Sequence, residues 1–152
     1  MTEYKVWRSI VDWVEDNGGR VIAACPPGSS VYDYKKFCII DPVSGKRDEP
    51  DILFIWQNTV YFVECKPTLR GIYAKGLKQA SDESDIDKLR RIEISYRSHH
   101  YDQQLLDNYG IDVNCYDFRL GVGYSAKGTC DELIAGITQF VVSDSYSIKI
   151  MG

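Results

Sequence analysis

Two short apolar runs, Ile52–Trp56 and Val60–Val63, face each other across the polar triplet Gln57-Asn58-Thr59. β-branched, aromatic and aliphatic residues fill both runs, so the spacing predicts two strands joined by a tight turn. Along the second strand the period of two places Val60, Phe62, Glu64 and Lys66 on one face and Tyr61, Val63 and Cys65 on the other. A two-residue turn at Asn58-Thr59 pairs Gln57 with Val60, Phe54 with Val63, Leu53 with Glu64 and Asp51 with Lys66. Asp51 then shares the face of Glu64 and Lys66, opposite Lys66 at about 4.5–5.5 Å between Cβ atoms and diagonal to Glu64 at about 7–8 Å. A slip of one residue would send Asp51 to the other face.

Two carboxylates and an ammonium at one end of a hairpin suit a particular chemistry. The carboxylates can hold a hard divalent cation, and the ammonium can stabilise negative charge or position a water. An acid two residues before a lysine is common, and Glu3-Tyr4-Lys5 and Asp33-Tyr34-Lys35 also have it. Only Glu64-Cys65-Lys66 ends an apolar strand and follows a Pro-Asp, Pro50-Asp51, by the length of a hairpin. In these residues the chain resembles the PD-(D/E)XK nuclease superfamily, with Pro50-Asp51 as the first element of its motif and Glu64-Cys65-Lys66 as the second.

The resemblance implies an α/β fold, a restriction-endonuclease-like mixed β-sheet flanked by helices, and a Mg²⁺-dependent DNA endonuclease in which Mn²⁺ substitutes. Asp51 and Glu64 would bind the metal with the Cys65 carbonyl, and Lys66 would orient or activate the attacking water. It also implies a further glutamate on the first helix, for which Glu3 is the candidate by phase; a first-turn acid favoured by the helix dipole explains Glu3 equally well. Cleavage of both DNA strands needs two such sites, so a homodimer is expected. Two other readings stay open: a catalytically silent domain of that fold binding nucleic acid or a protein, and a small α/β interaction protein in which Asp51 and Lys66 form an ion pair.

With 152 residues the chain suits one domain spanning 1–152 with a single core. No apolar run approaches the roughly 20 residues of a membrane span, and no secretory signal opens the chain, so a cytoplasmic protein is expected. The five cysteines are scattered without a Cys-x-x-Cys, which reads as reduced core residues. His99 and His100 are the only histidines, leaving little material for a histidine-dependent hydrolase. The net charge of −4 argues against a generally basic nucleic-acid binder. Residues 66–100, however, carry eight Lys or Arg against five acids, while the remainder stands at −7. That segment is the expected phosphate track, with Arg70, Lys75, Lys78, Arg90 and Arg91 as its candidates; an ordinary mixed-charge helix face is the alternative.

Around the hairpin, the pattern predicts a helix over 2–16 with Thr2 as N-cap, and strands over 20–25 and 31–40. Beyond it come a helix from Ser84 or Asp85 that runs on or breaks at His99-His100, helical residues to Asn108, a strand over 111–120, a helix over 131–140 capped by Thr129, and a strand over 146–150. Gly121-Val122-Gly123-Tyr124-Ser125 lacks the Gly-Lys-Ser/Thr of a phosphate-cradling loop.

Overall fold

The computed structural model describes residues 1–27, 34–74, 83–127 and 132–152. The chain begins with α1 (Glu3–Asp16), whose N-cap Thr2 accepts a hydrogen bond from the Lys5 N–H. Its buried side chains, Val6, Trp7, Ile10, Val11 and Val14, fall at the three- and four-residue spacing of one helix face. There follow β1 (Arg20–Ala24), β2 (Ile39–Ile40), β3 (Arg47–Asp48), β4 (Ile52–Trp56) and β5 (Thr59–Cys65). Then come α2 (Leu69–Tyr73), α3 (Asp85–Arg97), α4 (Asp102–Tyr109), β6 (Asp117–Ser125), β7 (Ile137–Val142) and β8 (Ile148–Met151).

Six strands form one mixed sheet in the order β1-β4-β5-β6-β7-β8, and β2 pairs with β3 in a separate ribbon. β5-β6 and β6-β7 are parallel, and the other neighbours are antiparallel. The parallel β5-β6 pair follows from the helical crossover α2–α4 between those strands. Strand parity divides the core. Ile52, Phe54, Tyr61, Val63 and Cys65 pack with α1, whereas Leu53, Ile55, Val60 and Phe62 pack with Ile86, Leu89, Ile92 and Tyr96 of α3. The architecture is therefore α/β, with a mixed sheet between helices, and among the described residues no helix is long and apolar enough to cross a membrane.

The central hairpin differs from expectation in its register. Its turn is Gln57-Asn58, both at positive φ (48° and 60°), and the pairs are Trp56 with Thr59, Phe54 with Tyr61 and Ile52 with Val63. A two-residue turn with both φ values positive matches the twist of the flanking strands, and asparagine tolerates that conformation. The pairing is thus shifted by two residues, which preserves the face of every side chain. Asp51 comes beside Glu64 instead of Lys66.

Three other expectations are corrected. Residues 137–140, expected to be helical, belong to β7, whose six residues are all buried; a short apolar run covered on both sides carries no periodicity to separate strand from helix. The cap Thr129 lies outside the described residues. The strand expected over 111–120 starts at Asp117, because Asp112 accepts a hydrogen bond from the Asn114 N–H and holds Val113–Cys115 in a 3₁₀ turn. Of the strand expected over 31–40, residues 31–33 lie outside the described residues, and beyond them only Ile39–Ile40 joins a ladder, apart from a lone bridge from Lys35 to Ala23.

The Gly121–Ser125 segment is the second half of β6, so its glycines serve packing. A Cβ at Gly123 would stand 2.1 Å from Cδ1 of Ile10 and 3.3 Å from Sγ of Cys65. The missing side chain is what lets α1 settle onto the sheet. Gly123→Ala is expected to destabilise the protein by about 1–3 kcal/mol through overpacking, measured by urea unfolding; an unchanged midpoint would show that α1 does not rest there.

Candidate functional site

Asp51 precedes β4 and is fixed through its backbone. Its N–H donates to the Val63 carbonyl at 3.0 Å, and its own carbonyl accepts from the Cys25 N–H at 2.9 Å and from the Trp7 indole N–H at 3.2 Å. The side chain then has little choice of direction: Oδ2 accepts the Cys65 N–H at 2.7 Å. Glu64, one residue earlier on β5, is 4% exposed, and its Oε1 receives the ammonium of Lys88 at 2.7 Å. Asp51 and Glu64 are thereby brought together under the carboxyl end of β5, as the strand parity requires.

Lys66 continues that end of the strand, its N–H donating to the Gly123 carbonyl at 3.0 Å. Its ammonium lies 3.3 Å from Glu3 Oε1 and 3.8 Å from Asp85 Oδ2. Glu3 comes from the first turn of α1 and Asp85 from the first turn of α3. Lys66 therefore joins the starts of two helices that cover opposite sheet faces. Glu3, placed at the site by helical phase, reaches it through this ion pair.

Electrostatics follow from burial. Loss of water pushes the Asp51 carboxyl above the ordinary carboxylate range, and the charges of Glu3 and Asp85 push the same way. Glu64 is pushed well above that range, first by burial and then by Asp51, with Lys88 pulling it back. Asp85 is raised by burial against the pull of Lys66 and Lys88. Both lysines lose water too, but the surrounding carboxylates outweigh that loss and raise their pKa values, so both remain ammonium ions. The Cys65 thiol is buried, and burial pushes it well above its ordinary value, which makes its sulfur chemically idle.

Sequence reasoning did not single out Asp85 and Lys88 for this site. Asp85 figured as a helix start and Lys88 as one cation of the basic segment. The signal is their spacing: Asp85, Lys88 and the buried Ile92 follow at intervals of three and four, on one side of α3. Ser84 caps that helix with a reciprocal pair of hydrogen bonds to Asp87, which fixes where Asp85 and Lys88 begin.

The expected phosphate track is dispersed. Arg70 is exposed on α2, and Lys75 and Lys78 lie outside the described residues. Arg90 donates to the Ala135 carbonyl at 2.8 Å. Arg91 donates to both oxygens of Asp48 at 2.7 and 2.9 Å and to both of Glu83 at 2.8 and 2.9 Å, tying the β2-β3 ribbon to α3. A phosphate at Arg91 would have to displace two carboxylates.

As a place for a hard cation, the cluster has the right donors: the carboxylates of Asp51 and Glu64, with Oδ2 of Asp85 buried and without a hydrogen-bond partner. Among the described residues no three His, Cys, Asp or Glu side chains gather into a metal-holding group by themselves. A cation here would rest on two carboxylates and complete its shell from main-chain, substrate or solvent oxygens, which is the usual manner for Mg²⁺. Comparison with protein-family models, curated proteins and solved structures finds no match to this chain.

The Asp51 shift has a consequence for stability. Below about pH 4 the carboxyl is protonated in both folded and unfolded chains and has no effect. As pH rises the unfolded chain ionises first, so stability is lost until the pH passes the raised folded value. Asp51→Asn, which can still accept the Cys65 N–H, is expected to raise stability in EDTA at pH 8 by roughly 1–3 kcal/mol, with the gain disappearing near pH 4. Urea unfolding at pH 4, 6 and 8 checks it. A gain independent of pH would mean that the buried charge is not the cause.

Proposed function

We propose that the chain is a metal-dependent DNA endonuclease that hydrolyses phosphodiester bonds, as its resemblance to the PD-(D/E)XK nucleases implies. One observation supports this above the others: half-buried Asp51 and buried Glu64 stand together at the carboxyl end of β5, with ammonium groups within reach of the cluster. Two mutually repelling carboxylates out of water destabilise a fold, and that arrangement is characteristic of sites that handle ions or protons.

In this reading Asp51, Glu64 and the Cys65 carbonyl hold Mg²⁺, for which Mn²⁺ can substitute. Bound there, the cation would supply Lewis acidity at a phosphoryl oxygen and acidify a bound water. Glu3, Asp51, Glu64 and Asp85 set four carboxylates against the ammonium groups of Lys66 and Lys88. Were all of them ionised, the cluster would be net negative and would repel a phosphodiester, so a cation would be needed to bring one in. Lys66, half-exposed and held as an ammonium, orients the attacking water and stabilises negative charge at the phosphate; it is not poised as a base. Arg70, exposed on α2 four residues after Lys66, is a candidate for a neighbouring phosphate, with Lys75 and Lys78 further along the same basic segment. A homodimer would supply the second site that double-strand cleavage requires.

A second reading is favoured by the Glu64–Lys88 pair. An ammonium at 2.7 Å already neutralises one of the two carboxylates, as it would in a catalytically silent domain of this fold that binds nucleic acid or a protein. Incubation with supercoiled, linear and branched DNA in Mg²⁺, Mn²⁺ or EDTA separates the two. Cleavage is expected with either cation and not in EDTA. Lys66→Ala should abolish cleavage while Ca²⁺ binding persists, and Asp51→Asn should weaken both. Full cleavage by either variant would remove this site from the reaction, and binding of DNA without cleavage under every condition would establish the silent reading.

A further inference from the structure

Lys88 is placed unusually for a surface helix. Its ammonium is directed inward to Glu64 at 2.7 Å, and the side chain is only 21% exposed. Three residues earlier on the same side of α3, Asp85 presents Oδ2, which is buried and accepts no hydrogen bond from the described residues. The Lys66 ammonium stands 3.8 Å from that oxygen, too far for a hydrogen bond. A side chain at i+3 can reach the one at i, and Lys88 and Asp85 already attract each other through space. Lys88 thus has one carboxylate that it holds and, three residues back on its own side of the helix, a second whose buried oxygen has only the distant Lys66 ammonium beside it among the described residues.

We propose that Lys88 is the resident counter-ion of the cation site: its ammonium holds Glu64 while the site is empty of metal, and moves to Asp85 when a divalent cation takes Glu64. The inference rests on the metal-dependent reading above. Lys88 is a positioning residue here. It keeps Glu64 aimed in the absence of metal, and it sets the cation affinity by competing for the same oxygen. Asp85 gives the displaced charge a partner, so the exchange leaves no buried ammonium unpaired.

Calorimetric titration of the full chain with Ca²⁺ and Mn²⁺ tests this, with lysine ammonium NMR signals as a second readout. Removing a positive charge that competes for a cation's ligand should tighten binding about tenfold or more in Lys88→Met. Lys88→Gln, which keeps a hydrogen-bond donor for Glu64, should show the same direction and stands in if the methionine variant fails to fold. In the wild-type protein the Lys88 ammonium signal should shift as the cation is added; in Asp85→Asn it should broaden or vanish into exchange with solvent. Equal cation affinity in the wild type and both Lys88 variants, or a Lys88 signal that does not move on saturation, overturns the counter-ion role and leaves the nuclease reading standing. Failure of the wild type and both Lys88 variants to bind either cation overturns both.

Discussion

The Glu64–Lys88 ion pair is the interaction on which the arrangement of this molecule turns. Glu64 sits on the sheet face covered by α3, where a lone carboxylate would cost several kcal/mol of lost hydration. Lys88 offsets that cost only if α3 docks in one register. The capping box at Ser84 and Asp87 fixes the start of the helix, while Ile86, Leu89 and Ile92 fix its rotation by burying one face. Arg91, three residues beyond Lys88, holds Asp48 and Glu83 and so brings the β2-β3 ribbon along with it. A buried charge pair is weak support for stability, but its geometric demands on the elements around it are strict.

Lys66 plays the corresponding part at the rim. Its ammonium stands between Glu3 of α1 and Asp85 of α3, so both helical layers contribute a carboxylate to one edge of the sheet. Gly123 offers no side chain under Ile10, so the end of the Ile10 side chain can lie against the sheet there.

The same charges frame the functional question. Four carboxylates and two ammonium groups at the end of a parallel strand would, with every carboxylate ionised, attract a dication and repel a bare phosphate. The cluster is not a ready cage of three ligands, and Lys88 already lies on one of its two central oxygens. A nuclease that exchanges its lysine for an ion and a silent domain that keeps its lysine in place share this ground state. Their difference lies in whether the ammonium can be displaced.

By itself the sequence determined the first helix with its Thr2 cap, the central hairpin, and the common face of Asp51, Glu64 and Lys66, because these depend on local periodicity and on parity. Parity survived a turn placed one residue late, since the resulting shift of two leaves each side chain on its face. Only the tertiary structure decided that residues 137–142 form a strand, because a run buried on both sides has no amphipathic signature. It also decided which charges meet. Lys88 and Arg91 are three residues apart on one helix and equally basic, yet one turns into the cluster at Glu64 and the other clamps Asp48 and Glu83. Charge type and helical phase state that a cation stands on a given side of α3; which carboxylate it meets there depends on how the helix lies across the sheet, and that is fixed by long-range packing that no local pattern records.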